Sequence, residues 1–189
     1  MAHSDNSALI RKLRGMLGKE LVFREWAGKT VVSKAPKRRK RKSTPDQEKT
    51  RLNFKLASRY ANAVIGSADQ SMADAYALLL KPRQNLFSRA LEDFMNVPEV
   101  KFIRTEDYKG VVGDKIIIRA VDDFRVLRVL VEIHTSDGSL IESGNATQNV
   151  NGIDWTYTVT KINNLSEGST IKAIVTDAPG NEGILVVKS

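Results

Sequence analysis

Leu127-Arg128-Val129-Leu130-Val131-Glu132-Ile133-His134 decides the second half of this chain. Leu127, Val129, Val131 and Ile133 fall on one side of a period of two, and Arg128, Glu132 and His134 on the other. That pattern belongs to a half-buried β-strand, not to a helix. Ser136-Asp137-Gly138-Ser139 follows, with a glycine where a tight hairpin needs positive φ, and Ser139 to Glu142 leaves the turn as the partner strand.

On either side of this stretch the same period recurs. Val100 to Arg104 starts the pattern, and Lys115 to Val121 puts Ile116, Ile118 and Ala120 on one face. Trp155, Tyr157 and Val159 alternate with Thr156 and Thr158, and Ile171, Ala173 and Val175 alternate with Lys172 and Thr176. Ile184 to Lys188 is the last run. Seven short strands with turn signals between them, within about 90 residues, predict an Ig-like β-sandwich. With no cysteine in the chain, its core holds without a disulfide.

Upstream of Asn96-Val97-Pro98 the period is 3.6. Thr44 as N-cap, Pro45 at the first helical position, then Asp46 and Gln47, form a helix start. Leu52, Leu56, Tyr60, Ala61, Val64 and Ile65 follow at helical spacing, and Gly66 ends the run. Ser67-Ala68-Asp69-Gln70 repeats the start signal before a helix bearing Met72, Ala73, Tyr76, Ala77, Leu79 and Leu80 up to Pro82. A third helix near Asn85 to Met95 carries Leu86, Phe87, Ala90, Leu91, Phe94 and Met95. Three short amphipathic helices with tight connections predict a small bundle, whose aromatics Phe54, Tyr60, Tyr76, Phe87 and Phe94 read as core in preference to base-stacking platforms. Further upstream, Leu21 to Trp26 and Thr30 to Ser33 flank Ala27-Gly28-Lys29 as a hairpin. Ser7 to Leu17 fits a short amphipathic helix or a strand bent at glycine. The expectation is therefore an α+β chain of two domains: residues 1–98, a basic hairpin and helical bundle, and residues 99–189, an all-β sandwich of about seven strands.

Charge separates the halves. Of the net +8, residues 1–98 hold 20 Lys/Arg against 9 Asp/Glu, and residues 99–189 hold 10 against 13. Lys34-Ala35-Pro36 leads into six consecutive cations, Lys37, Arg38, Arg39, Lys40, Arg41 and Lys42, which repel one another and cannot enter a core. They read either as a solvated linker or as a polyanion-binding arm, to which Arg51, Lys55 and Arg59 on the polar face of the first helix would add. The same string also fits a nuclear-localisation signal. No run of apolar residues is long enough for a transmembrane helix, and the N-terminus lacks the apolar stretch of a secretory signal. A cytoplasmic location is expected, with signal-free export open.

Asp114 to Asp123 (DKIIIRAVDD) and Thr170 to Asn181 (TIKAIVTDAPGN) resemble bacterial Ig-like domains, whose penultimate strand runs into a Thr-Asp-x-x-Gly-Asn turn. The resemblance covers roughly residues 99–189 and implies the fold, not a ligand. Over roughly residues 8–95 the chain is similar to small, basic, uncharacterised proteins of Bacteroidota-type bacteria. That similarity rests on Gly15-Met16-Leu17-Gly18-Lys19, the basic stretch, and Thr44-Pro45-Asp46-Gln47 with Arg51 and Phe54; it implies no activity.

In an Ig-like sandwich the second and sixth strands end at the pole where the first begins. Asp122, Asp123, Asp177 and Asn181 should gather there, beside the attachment of the N-terminal half. Three readings of this set are open: turn formation by Asx bonding, a Ca²⁺ site, or a junction fixing the angle between the halves. No catalytic motif is present. His3 lies near the terminus, His134 on a polar strand face, Glu92-Asp93 near a helix end, and Gly15, Gly18 and Lys19 have the wrong spacing for a phosphate loop. The expectation is a non-enzymatic interaction or assembly protein without a cofactor. Its partner would be an acidic protein surface or nucleic acid, with homo-oligomers possible and no membrane involved. The alternative is a nonspecific nucleic-acid-binding protein using the basic half.

Overall fold

The fold is α+β in a computed structural model that describes residues 2–4, 13–26, 28–36, 42–163 and 168–189. The chain divides into two compact units, Met1–Thr44 and Pro45–Ser189. The division therefore falls ahead of the helices, and the expected break at 98/99 lies inside the second unit.

In the first unit β1 (Ala2–Ser4), β2 (Gly15–Leu17), β3 (Leu21–Trp26) and β4 (Lys29–Lys34) form one antiparallel sheet in the order β1-β4-β3-β2. The β3–β4 hairpin is the expected one, paired from Leu21↔Lys34 to Trp26↔Lys29, with Gly28 at φ +79° in its turn. Of the two readings for Ser7 to Leu17, the strand holds for Gly15–Leu17; residues 5–12 lie outside the described residues. Thr30 and Val31 are the buried side chains among the described residues of this unit. Opposed residues share a face, so Thr30 and Val31 look to opposite sides of the sheet. Among the described residues, neither apolar cluster of the protein includes a residue of this unit.

The second unit begins with α1 (Pro45–Gly66), α2 (Ser71–Ala77) and α3 (Leu86–Met95). The bounds of α1 match its start and stop signals. Its packing does not follow the expected stripe, because Ala57, Ala61 and Val64 are buried while Leu52, Phe54 and Leu56 are exposed. Small residues let α1 approach α3 closely; the three long ones lie before the contact or beside it. The second helix stops at Ala77, short of Pro82, and leaves Leu78 and Leu79 exposed. Asn85 caps α3, its side chain accepting from Ser88 N at 2.7 Å.

Two four-stranded antiparallel sheets follow. One runs β5 (Glu99–Arg104), β6 (Lys115–Val121), β10 (Asp154–Thr158), β9 (Thr147–Gln148). The other runs β12 (Glu182–Lys188), β11 (Thr170–Asp177), β7 (Val126–His134), β8 (Leu140–Asn145). A single apolar cluster joins them. Val100, Ile116, Ile118, Trp155 and Tyr157 come from the first sheet, and Val129, Val131, Ile133, Ile171, Ala173 and Val175 from the second. Every strand expected from the period of two is present. The two-residue β9 was too short to show that period. It continues β8 through Ala146, so one segment pairs with β7 in one sheet and with β10 in the other. At the opposite flank β12 passes the entry of β5 so closely that a Cβ on Gly183 would lie 1.9 Å from the Pro98 carbonyl oxygen.

Candidate functional site

The helices and the sheets of the second unit meet where β6, β11 and α3 end, and all four residues expected at that pole are there. Asp122 Oδ2 accepts from Phe124 N and Arg125 N at 3.0 and 2.9 Å. Asp177 is buried, and its two oxygens accept from Asn181 N and Nδ2 at 2.6 and 2.8 Å. Asn181 Nδ2 also lies 3.2 Å from the carbonyl oxygens of Phe94 and Asn96 at the end of α3. The Asp123 side chain accepts from Asn96 Nδ2, and its carbonyl oxygen accepts from Arg89. Asx turns and inter-element bonds thus engage one side-chain oxygen each of Asp122 and Asp123 and both of Asp177. Among the described residues no group of three or more Asp, Glu or His is placed to hold a metal ion.

A residue outside the expected set occupies the centre of this junction. Asp93 is fully buried and accepts from Tyr76 Oη at 2.6 Å, while the Tyr76 and Tyr60 hydroxyls are 2.9 Å apart. Phe124, from the turn after β6, stacks on Tyr76 with ring centroids 4.1 Å apart. Burial, reinforced by Asp122 and Asp177, holds the Asp93 carboxyl up at about 6 despite the Tyr76 bond and Arg89. Burial and the bond to Asp93 push the Tyr76 phenol well above its usual range, and burial also raises Asp177. Asp93 Oδ1, Asp122 Oδ1 and two nitrogens of the buried Arg89 have no hydrogen-bond partner among the described residues. Arg89 Nη1 sits 3.6 Å from Glu92 Oε2. In sequence Asp93 was one half of an acidic pair near a helix end. Its i,i+4 relation to Arg89 on the inner face of α3 was the available sign of burial. An open cleft of about 520 Å³ beside the junction is lined by Asn96, Val97, Lys101 and Asp123, among others. This cluster ties α3 to two strand turns.

The expected cationic set is divided between the units. Lys34 ends β4 in the first unit, exposed, and Lys42 is exposed beyond it; Lys37, Arg38, Arg39, Lys40 and Arg41 lie outside the described residues. Arg51, Lys55 and Arg59 belong to the second unit, exposed at every fourth position along α1. The first unit carries 13 Lys/Arg against 3 Asp/Glu, and the second 17 against 19. The positive excess is therefore confined to 44 residues. Large apolar side chains accompany it, with Met16 59%, Leu17 62% and Trp26 71% exposed. Arg14 pairs with Glu25, Nε to Oε2 at 3.1 Å, beside a cleft of about 540 Å³ lined by Arg14, Phe23, Arg24, Glu25 and Trp26. His134 is half-buried on β7, and no nucleophile–base pair involves it among the described residues. No helix among those residues is long and apolar enough to cross a membrane.

No family model matches the chain, and no curated protein does. It is similar to a crystal structure of an engineered protein, at 21% identity over 65% of this chain with a TM-score of 0.30. The match takes in 26% of that protein, so the chain spans about a quarter of its length.

Proposed function

We propose that this chain is a non-enzymatic interaction or assembly protein whose N-terminal unit docks on an acidic partner. The observation that carries the reading is the confinement of the positive excess to Met1–Thr44, together with the exposed Met16, Leu17 and Trp26. Phosphates alone would neutralise the charge and leave that apolar surface wet. A protein surface with an apolar centre and an acidic rim accepts both, and such a rim steers encounter.

The paired sheets of the second unit are read as an Ig-like module that presents or spaces this docking unit. Their strand order supports that reading: β5-β6-β10-β9 and β12-β11-β7-β8 follow the A-B-E-D and G-F-C arrangement of immunoglobulin folds, with β8 added beside C.

The test is binding of the intact chain to polyglutamate and to random duplex DNA across a salt series, beside a variant with Lys37 to Lys42 changed to Ser and Gly. Binding to polyglutamate that weakens in the variant supports the reading. Binding to DNA alone, with log K falling by roughly five per decade of salt if the six cations meet phosphates, would replace it with nucleic-acid binding.

A further inference from the structure

The open edge of the first unit's sheet names the form such a partner takes. Among the described residues β2 is an edge strand, paired with β3 on one side alone. Natural edges are guarded by lysine, proline, a bulge or an inward charge, because an unguarded edge templates another strand. Gly15-Met16-Leu17 has none of these. The Leu17 carbonyl accepts from Glu20 N at 3.1 Å, which makes Leu17–Leu21 the hydrogen-bonded pair that closes the hairpin. By antiparallel alternation Met16–Val22 is then a non-hydrogen-bonded pair. The N–H and C=O of Met16 point away from β3, toward the open edge.

The side chains complete a strand-shaped site. Met16 and Leu17 are more than half exposed on opposite faces of the sheet, so an added strand would meet an apolar contact on each side. Cations bracket the edge, Lys19 after it and Arg14, already paired with Glu25, before it, and Arg24 follows Phe23 on β3. The cleft containing Trp26 and Phe23 opens beside Arg14. Charge decides the occupant. A second copy would bring one strongly cationic 44-residue unit against another, whereas an extended acidic segment neutralises the bracket while its backbone pairs with Met16.

We propose that β2 receives an extended, acidic segment of a partner protein as a fifth strand of the sheet, by β-augmentation. This rests on the acidic-partner reading above and specifies how that partner binds.

The experiment titrates the intact chain with three probes: a short peptide alternating glutamate with valine, the same peptide N-methylated at every residue, and polyglutamate of matched charge. N-methylation keeps side chains and charge but removes every backbone donor. The alternating peptide is expected to bind at least about tenfold more tightly than its N-methylated form, and to protect the Met16 amide from hydrogen exchange. Equal binding of all three probes, with the Met16 amide unprotected, overturns strand addition while leaving acidic docking intact. Failure of every acidic probe at low salt, with duplex DNA bound, overturns both.

Discussion

Replacing Asp93 by Asn should stabilise the protein at neutral pH and not at acid pH. Burial raises the Asp93 carboxyl from 3.8, the value of a free aspartate, to about 6 in the folded chain, which is worth about 3 kcal/mol. The folded carboxyl holds its proton more tightly, so between those pH values the folded state binds a proton the unfolded state has lost. Stability from this group is complete below about pH 4, falls as pH rises to about 6, and is flat beyond. Asn removes the ionisation and can still accept from Tyr76, but it places an unpartnered amide where Oδ1 lies, at a cost of about 1–2 kcal/mol. The net expectation is a gain of about 1–2 kcal/mol at neutral pH, turning into a small loss near pH 4. Urea unfolding of both proteins across that range reads the difference directly. Asp154 titrates in the opposite sense, since its bonds to Arg119 hold it down at about 2; the comparison with the variant cancels that contribution. A D93N protein less stable than its parent at neutral pH would instead mean that attraction between Arg89 and a charged Asp93 outweighs burial.

Other substitutions probe the same unit. Gly183→Ala sets a methyl group against the Pro98 carbonyl and should cost at least about 2–3 kcal/mol in denaturant unfolding. Asn181→Ala removes the bonds from β11–β12 to the end of α3 and to Asp177, and should lower stability by about 1–3 kcal/mol. Residues 45–189 alone contain both apolar clusters, so that fragment should unfold cooperatively with a midpoint close to the intact chain's; a broad, uncooperative transition would show that the first 44 residues complete its core.

Much of this architecture was legible where a period was long enough to read. Alternation in Lys115 to Val121 gave its strand without error, and the Thr44-Pro45 and Gly66 signals bounded α1. The inward face of β7 holds for Val129, Val131 and Ile133, while Leu127, at the strand's start, is exposed because the core ends there. What failed was hidden for physical reasons. A hydrophobic stripe does not say which part of it another element covers, so Leu52 and Leu56 looked like core although the small side chains of Ala57 and Ala61 make the contact. The change of period at Pro98 is real, and the buried Asp93–Tyr76 bond and the Phe124 stack join helices and sheets across it. At the candidate sites, the gathering of Asp122, Asp123, Asp177 and Asn181 followed from strand direction alone. Asp93 did not, because its neighbours Tyr60, Tyr76 and Asp177 come from three separate elements.

The proposed docking role belongs to the first 44 residues. Its most direct test compares the intact chain with residues 45–189 for binding to polyglutamate between about 50 and 200 mM salt. Salt-sensitive binding by the intact chain and none by the fragment is expected; equal binding by both would place the site on the second unit and rule out docking through the first.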